Sequence, residues 1–289
     1  MTKTPVPHFS GRLGSDAFPI EAGRYRLIWS DICPWSQRVA ITWRLLGLED
    51  LISEGKVNPV ITDKGWQFSL DPDHRDPVLG ISYMMELYKE VEPDYAGRAT
   101  VPVIVDVKTR QIVNNESSEL IEQLATNFSN FTKTDAPDLY PEHLRADIDT
   151  LNDVILADIN QGVYKVKLAN NQADYEIAYH RLFDRLDELD ARLSERQFLF
   201  GDELTLSDIR LYVTLARFDA AYYFYFRANR NRLTDFPNLW RYAKALYQIP
   251  AFRETTNFDA IKKGFAMSNL EGNPNQIVPL GPDTSIWDK

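Results

Sequence analysis

The sequence predicts an α/β unit followed by an all-helical one, and three observations carry that prediction. A strand-like run, Arg24-Tyr25-Arg26-Leu27-Ile28-Trp29, leads through a Cys-Pro turn into a dense apolar helix. A second strand, Thr100 to Val107 with Pro102 near its start, turns at Lys108-Thr109-Arg110 and returns as Gln111-Ile112-Val113-Asn114, a hairpin. Beyond residue 141 the apolar residues recur at helical spacing throughout.

Residues 1–23 read as an irregular arm rich in proline and glycine, with Arg12 as its isolated charge. The α/β unit spans 24–127. Its first helix opens at Pro34, which suits a first helical position because the missing N–H is an orphan there. Val39, Ile41, Trp43, Leu45 and Leu46 give that helix its apolar face, and Gly47 ends it. Val57, Val60 and Ile61 suggest a second strand, and Gly65-Trp66-Gln67-Phe68 opens a long polar loop through Asp71 and Pro77. Residues 81–91 form a short helix. Pro102 marks a strand entry or a segment outside the ladder, with a cis bond as one option. Asn115 then caps a helix whose first turn carries Glu116, Ser117, Ser118 and Glu119.

A polar linker covers 128–141 and the helical domain 142–268. Leu144, Ile148, Leu151, Ile155 and Ile159 repeat at helical spacing, as do Tyr175, Tyr179, Leu182, Leu186, Leu189 and Leu193. Thr205 and Asp208 form a capping box, with Leu204 and Ile209 as its hydrophobic staple. That helix enters the aromatic run Phe218 to Phe226, and another begins at Pro237. The tail, 269–289, has no periodicity and is expected to wrap the surface.

Composition narrows the function. The 289 residues carry a net charge of -10 and no basic cluster, which excludes a nucleic-acid surface. No run of about 18 apolar residues is present, so no membrane span is expected. One cysteine and no signal-like leader point to the cytoplasm. His8, His74, His143 and His180 are scattered without ligand spacing, so no metal site is expected.

Cys33 is the one residue with evident chemistry. At a strand-to-helix turn its sulfur meets unpaired N–H groups and the positive end of the helix dipole, which favours the nucleophilic thiolate. A dithiol redox site would put a second cysteine at 36, where Ser36 stands. With no other cysteine in the chain, an external thiol must resolve any disulfide formed at Cys33. The plainer reading is a small buried hydrophobe.

The layout resembles the cytosolic glutathione transferases, and within them the Xi class, the glutathionyl-hydroquinone reductases. The resemblance is carried by Cys33-Pro34-Trp35-Ser36-Gln37-Arg38, Gly65-Trp66, Gly97-Arg98-Ala99-Thr100-Val101-Pro102-Val103 and Ile112-Val113-Asn114-Asn115-Glu116-Ser117-Ser118. In the helical half it is carried by Asn160 to Lys165, Arg217 to Tyr222, Phe236 to Trp240 and Ile277-Val278-Pro279. It implies a thioredoxin-like N-terminal domain plus an all-α C-terminal domain, with glutathione as co-substrate, no metal and a homodimeric assembly. It also implies Cys33 as catalytic nucleophile and Trp66, Arg98, Val101, Glu116 and Ser117 as the glutathione site. Tyr164, Tyr222 and Tyr225 are then the substrate-facing hydroxyls. Where the family commonly has alanine and histidine after Cys-Pro-Trp, this chain has Ser36 and Gln37. Phe224 and Tyr225 likewise replace a common glycine and histidine.

The reaction so implied removes glutathione from a quinol thioether. A broader Omega-like thiol transferase or dehydroascorbate reductase would use the same cysteine, and a non-catalytic assembly module would not use it. Plainer roles remain for the binding residues too: packing for Trp66, capping for Glu116 and Ser117, and a surface charge for Arg98.

Overall fold

The computed structural model describes residues 9–268 and 272–289. The chain divides into two compact units, Met1–Ala136 and Pro137–Lys289.

The first unit is built on a four-stranded sheet in the order β2-β1-β3-β4. β1 (Tyr25–Trp29) lies inside it, buried along its whole length. Helix α1 (Pro34–Leu45) connects it to β2 (Ile52–Lys56), which runs parallel to β1. Gly47, at φ 70°, supplies the left-handed residue that ends the helix. Helix α2 (Met84–Val91) precedes the antiparallel pair β3 (Val103–Asp106) and β4 (Gln111–Asn114), and β3 also pairs antiparallel with β1. Helix α3 (Ser117–Asn127) packs against α1.

Three expectations shift in this unit. The second strand lies at 52–56 rather than around Val57 to Ile61. Its sequence, Ile-Ser-Glu-Gly-Lys, has no apolar alternation because tertiary partners decide it. Glu54 accepts the Trp29 indole N–H at 2.7 Å, and a Cβ at Gly55 would lie 3.0 Å from Arg26 Nε, inside the buried Arg26–Asp76 ion pair. The cap of α3 is Glu116, one residue later than Asn115; its side chain accepts from the Ser118 N–H at 3.0 Å. The arm is not wholly irregular. Ser10 bridges Asn114, and Gly11 donates to Val113 O at 2.8 Å, where a Cβ would stand 2.6 Å from that oxygen.

The second unit is helical: α4 (Arg145–Val154), α5 (Gly162–Leu168), α6 (Gln172–Arg192), α7 (Leu206–Arg217), α8 (Tyr223–Tyr225), α9 (Pro237–Tyr247), α10 (Pro250–Arg253) and α11 (Phe258–Met267). Two wider π-helical turns interrupt it, at Ile155–Asn160 and Phe218–Tyr222. Asn160 ties the first turn to α7 by donating to Arg210 O at 2.8 Å and Thr214 Oγ1 at 2.7 Å. The capping box of α7 forms as expected, and Asp208 also accepts from Leu199 N and Tyr242 Oη, both at 2.9 Å. Leu204 and Ile209, the expected staple, are both buried.

The described part of the tail keeps to the surface as expected, with Trp287 as its one buried residue; residues 269–271 lie outside the described residues. A helical turn at Thr284–Trp287 buries Trp287 among Trp240, Phe258 and Tyr247, with ring centroids 4.9, 5.2 and 5.5 Å away. Aromatic area outweighs the lack of periodicity there. Among the described residues no helix is long and apolar enough to cross a membrane.

Candidate active site

Cys33 is the N-terminal cap of α1, with extended φ/ψ of -81° and 112°, so its side chain stands at the helix mouth. The turn that holds it is closed by the buried Ser36 hydroxyl. That oxygen accepts from Ser30 N at 3.2 Å and lies 3.1 Å from both Ser30 O and Cys33 O. Ser36 therefore fastens the turn from inside, at the position a resolving cysteine would occupy.

The Cys33 thiol donates to the carbonyl oxygen of Val101 at 3.5 Å. Val101 precedes β3 and is joined to Pro102 by a cis peptide bond, which settles the option left open by the sequence. It lies beyond the last ladder pair, Ile28 with Val103, so its backbone edge is outside the sheet register. Cys33 and Trp66 are both half-buried and pack against one apolar cluster that includes Ile28, Phe68, Val101 and Val103. Trp66 is held by its own backbone, its carbonyl accepting from Met84 N at 3.0 Å.

Glu116 and Ser117 stand together at the start of α3. Glu116 Oε1 accepts from the Ser118 N–H at 3.0 Å and the Ser118 hydroxyl at 2.8 Å, and it lies 3.7 Å from Nη2 of Arg38. Ser117 is buried, and its oxygen accepts twice from Arg38, from Nε at 3.0 Å and from Nη2 at 2.6 Å. Arg98 is exposed, and its backbone is fixed by Tyr95, whose hydroxyl donates to Arg98 O at 2.8 Å.

Sequence reasoning missed the tyrosines behind these loops. Tyr88 is fully buried; it donates to Thr100 O at 3.1 Å and accepts from Asn115 Nδ2 at 3.2 Å. One hydroxyl thus joins the residue before Val101 to the residue before Glu116. Burial raises the pKa of Tyr88, and it pushes that of Tyr95 up to about 12, so both stay protonated donors. Spacing carries no such signal, since a tyrosine on an apolar helix face reads as core.

In the second unit Tyr164 and Tyr222 come together, with ring centroids 6.1 Å apart and Phe226 packed against both. Tyr222 sits at the end of the π-helical turn and is fully buried. Tyr225 lies instead against Phe224, on a cavity of about 300 Å³ lined by Asp219, Tyr223, Arg232 and Pro279. Among the described residues no three His, Cys, Asp or Glu side chains gather as metal ligands; His8 lies outside them.

A small mixed sheet with a Cys-Pro helix start and a cis-proline strand entry, followed by a helical unit, is the glutathione transferase arrangement, and comparison with known proteins agrees. The glutathione S-transferase N-terminal domain model matches residues 32–127 and the C-terminal domain model residues 172–245. The chain is 40% identical to glutathionyl-hydroquinone reductase PcpF of Sphingobium chlorophenolicum, over 94% of this chain and 87% of that one. It is 38% identical to glutathionyl-hydroquinone reductase YqjG of Escherichia coli K12, over 94% and 83% of the respective chains. The Xi glutathione transferase of Phanerochaete chrysosporium superposes with a TM-score of 0.92 at 41% identity, covering 98% of each chain. A glutathione-bound structure of YqjG superposes at 0.91 with 37% identity, covering 97% of this chain and 94% of that one. The chain belongs to the glutathione S-transferase family, in its Xi class.

Proposed function

We propose that the protein is a glutathione-dependent reductase that removes the glutathionyl group from glutathionyl-hydroquinones. The observation that carries this reading is Cys33 at the mouth of α1 with its sulfur 3.5 Å from Val101 O, the backbone edge that precedes the cis-proline. An extended peptide laid on that edge as an added strand brings its own cysteinyl sulfur toward Cys33. Glu116 then accepts from the γ-glutamyl ammonium, Ser117 and the N–H groups of α3 hold its carboxylate, and Arg98 meets the glycyl carboxylate. Trp66 covers the peptide from the side.

In the keto tautomer of the substrate, the carbon bearing sulfur lies next to a carbonyl. Thiolate attack by Cys33 on the glutathionyl sulfur forms a disulfide and breaks the carbon–sulfur bond, whose electron pair leaves as an enolate. Protonation at oxygen gives the hydroquinone, with Tyr164 and Tyr222, whose rings meet in the helical unit, as the hydroxyls that bind and protonate substrate oxygens. A second glutathione thiolate attacks the mixed disulfide, releasing glutathione disulfide and the Cys33 thiolate. The sum is one thioether reduced per glutathione disulfide formed. The lone cysteine supports this use of an external resolving thiol.

Steady-state turnover of a glutathionyl-hydroquinone with free glutathione tests the reading. Equal yields of hydroquinone and glutathione disulfide, abolished in Cys33→Ala, are expected. Reduction of dehydroascorbate and simple mixed disulfides, with the thioether left intact, would replace it with the broader thiol transferase.

A further inference from the structure

Arg38 is among the largest fully buried side chains of the protein, and an uncompensated guanidinium is costly to bury. Its environment is specific. The guanidinium carbon stands 5.0 Å from the centroid of the Trp35 ring, Nη2 lies 3.7 Å from Glu116 Oε1, and Nε and Nη2 both donate to Ser117 Oγ. A serine hydroxyl has two lone pairs and one proton. Two donors arriving from one edge of the Arg38 guanidinium occupy the accepting side of that oxygen. With that side taken, the group Ser117 has to offer a ligand is its proton. Ser117 is also the first residue of α3, where the helix's own N–H groups favour an anion.

We propose that Arg38 is a positioning residue that makes Ser117 an obligate hydrogen-bond donor and thereby sets recognition of a ligand carboxylate at the start of α3. The proposal rests on the glutathione reading given above and deepens it: the group recognised is the α-carboxylate of the γ-glutamyl residue. Arg38 itself does not touch the ligand. Lysine cannot replace it, because an ammonium does not present two fixed, parallel donors to one oxygen.

The test compares binding of glutathione with binding of 4-aminobutyryl-cysteinyl-glycine, which keeps the amine and thiol but lacks the α-carboxylate, by calorimetry on the reduced full-length protein. Wild type is expected to prefer glutathione by tenfold or more. Arg38→Lys and Ser117→Ala are each expected to lose most of that preference, and the double variant to lose no more than Ser117→Ala alone. A variant that weakens both ligands equally, or losses that add in the double variant, would overturn the proposal. Should Arg38→Lys not fold, Arg38→Gln takes its place in the same comparison, and a preference kept in the folded Arg38 variant overturns the proposal. Ser117→Thr keeps the hydroxyl and must keep the preference that Ser117→Ala loses, and loss of preference in both overturns the proposal. A wild-type protein that binds neither ligand removes the glutathione reading itself, and this proposal with it.

Discussion

Tyr88 and Tyr95 lie with ring centroids 4.9 Å apart, and each spends its hydroxyl on a site loop, Tyr88 on Thr100 and Tyr95 on Arg98. The pair is a buried scaffold for the segment that ends at Val101. Tyr88 extends the support to Asn115, so the two loops that carry Val101 and Glu116 share one hydroxyl.

Replacing Tyr88 by Phe keeps the packing and removes the hydroxyl that bonds to both Thr100 O and Asn115 Nδ2. A loss of about 1–2 kcal/mol in unfolding free energy is expected from denaturant titration, together with a several-fold rise in KM for glutathione. An unchanged KM would mean that the loops hold their places without this hydroxyl.

The helical unit has its own polar centre in Asp208, which accepts from Leu199 N, Thr205 N, Thr205 Oγ1 and Tyr242 Oη. Asp208→Ala leaves these buried donors without their acceptor and removes the capping box. It should lower stability by about 3–5 kcal/mol, and Tyr242→Phe by only about 1 kcal/mol, in the same denaturation assay. Comparable losses in the two variants would contradict this account.

Much of the fold was legible in the sequence, and the exceptions share a cause. The Cys-Pro helix start, the hairpin and the Thr205–Asp208 box are local patterns whose partners lie a few residues away. β2 escaped because its strand character comes from pairing with β1 and from the room Gly55 leaves for Arg26 and Asp76. Trp287 escaped because its burial depends on α9 and α11 rather than on its neighbours in the chain. In the site, Cys33 could be picked out as a single residue. Arg38 and Tyr88 could not, since their roles appear only when α1, α2 and α3 are brought together.

The end of β3 carries a pH dependence of definite sign. Asp106 is buried, which opposes its charge. Hydrogen bonds from Arg24 and from the Lys108 and Thr109 amides outweigh that and hold its pKa below the usual carboxylate value. A depressed folded-state pKa contributes stability above the unfolded pKa of about 3.9 and loses it as pH falls through the folded value. The stability gap between wild type and Asp106→Asn is therefore expected to be widest near neutral pH and to shrink below about pH 4. A gap that stays constant across that range would show that charge at Asp106 contributes nothing.

Substituting Cys33 by Ala or Ser should cut turnover by at least about a thousandfold while leaving glutathione affinity within a few-fold, because in the proposed mechanism the sulfur acts as the nucleophile and not as the peptide's anchor. Paired kinetics and calorimetry check both halves. Residual turnover above about a tenth of wild type would place the chemistry elsewhere.

The central claim concerns a covalent intermediate, and it is met most directly by mass spectrometry of the intact protein after a single turnover. The protein is mixed with a glutathionyl-hydroquinone in the absence of free glutathione, quenched with acid and weighed. The account predicts a gain of one glutathionyl group on Cys33 with an equal amount of hydroquinone released, reversed by added glutathione. Hydroquinone released with no mass gain on Cys33 would contradict it.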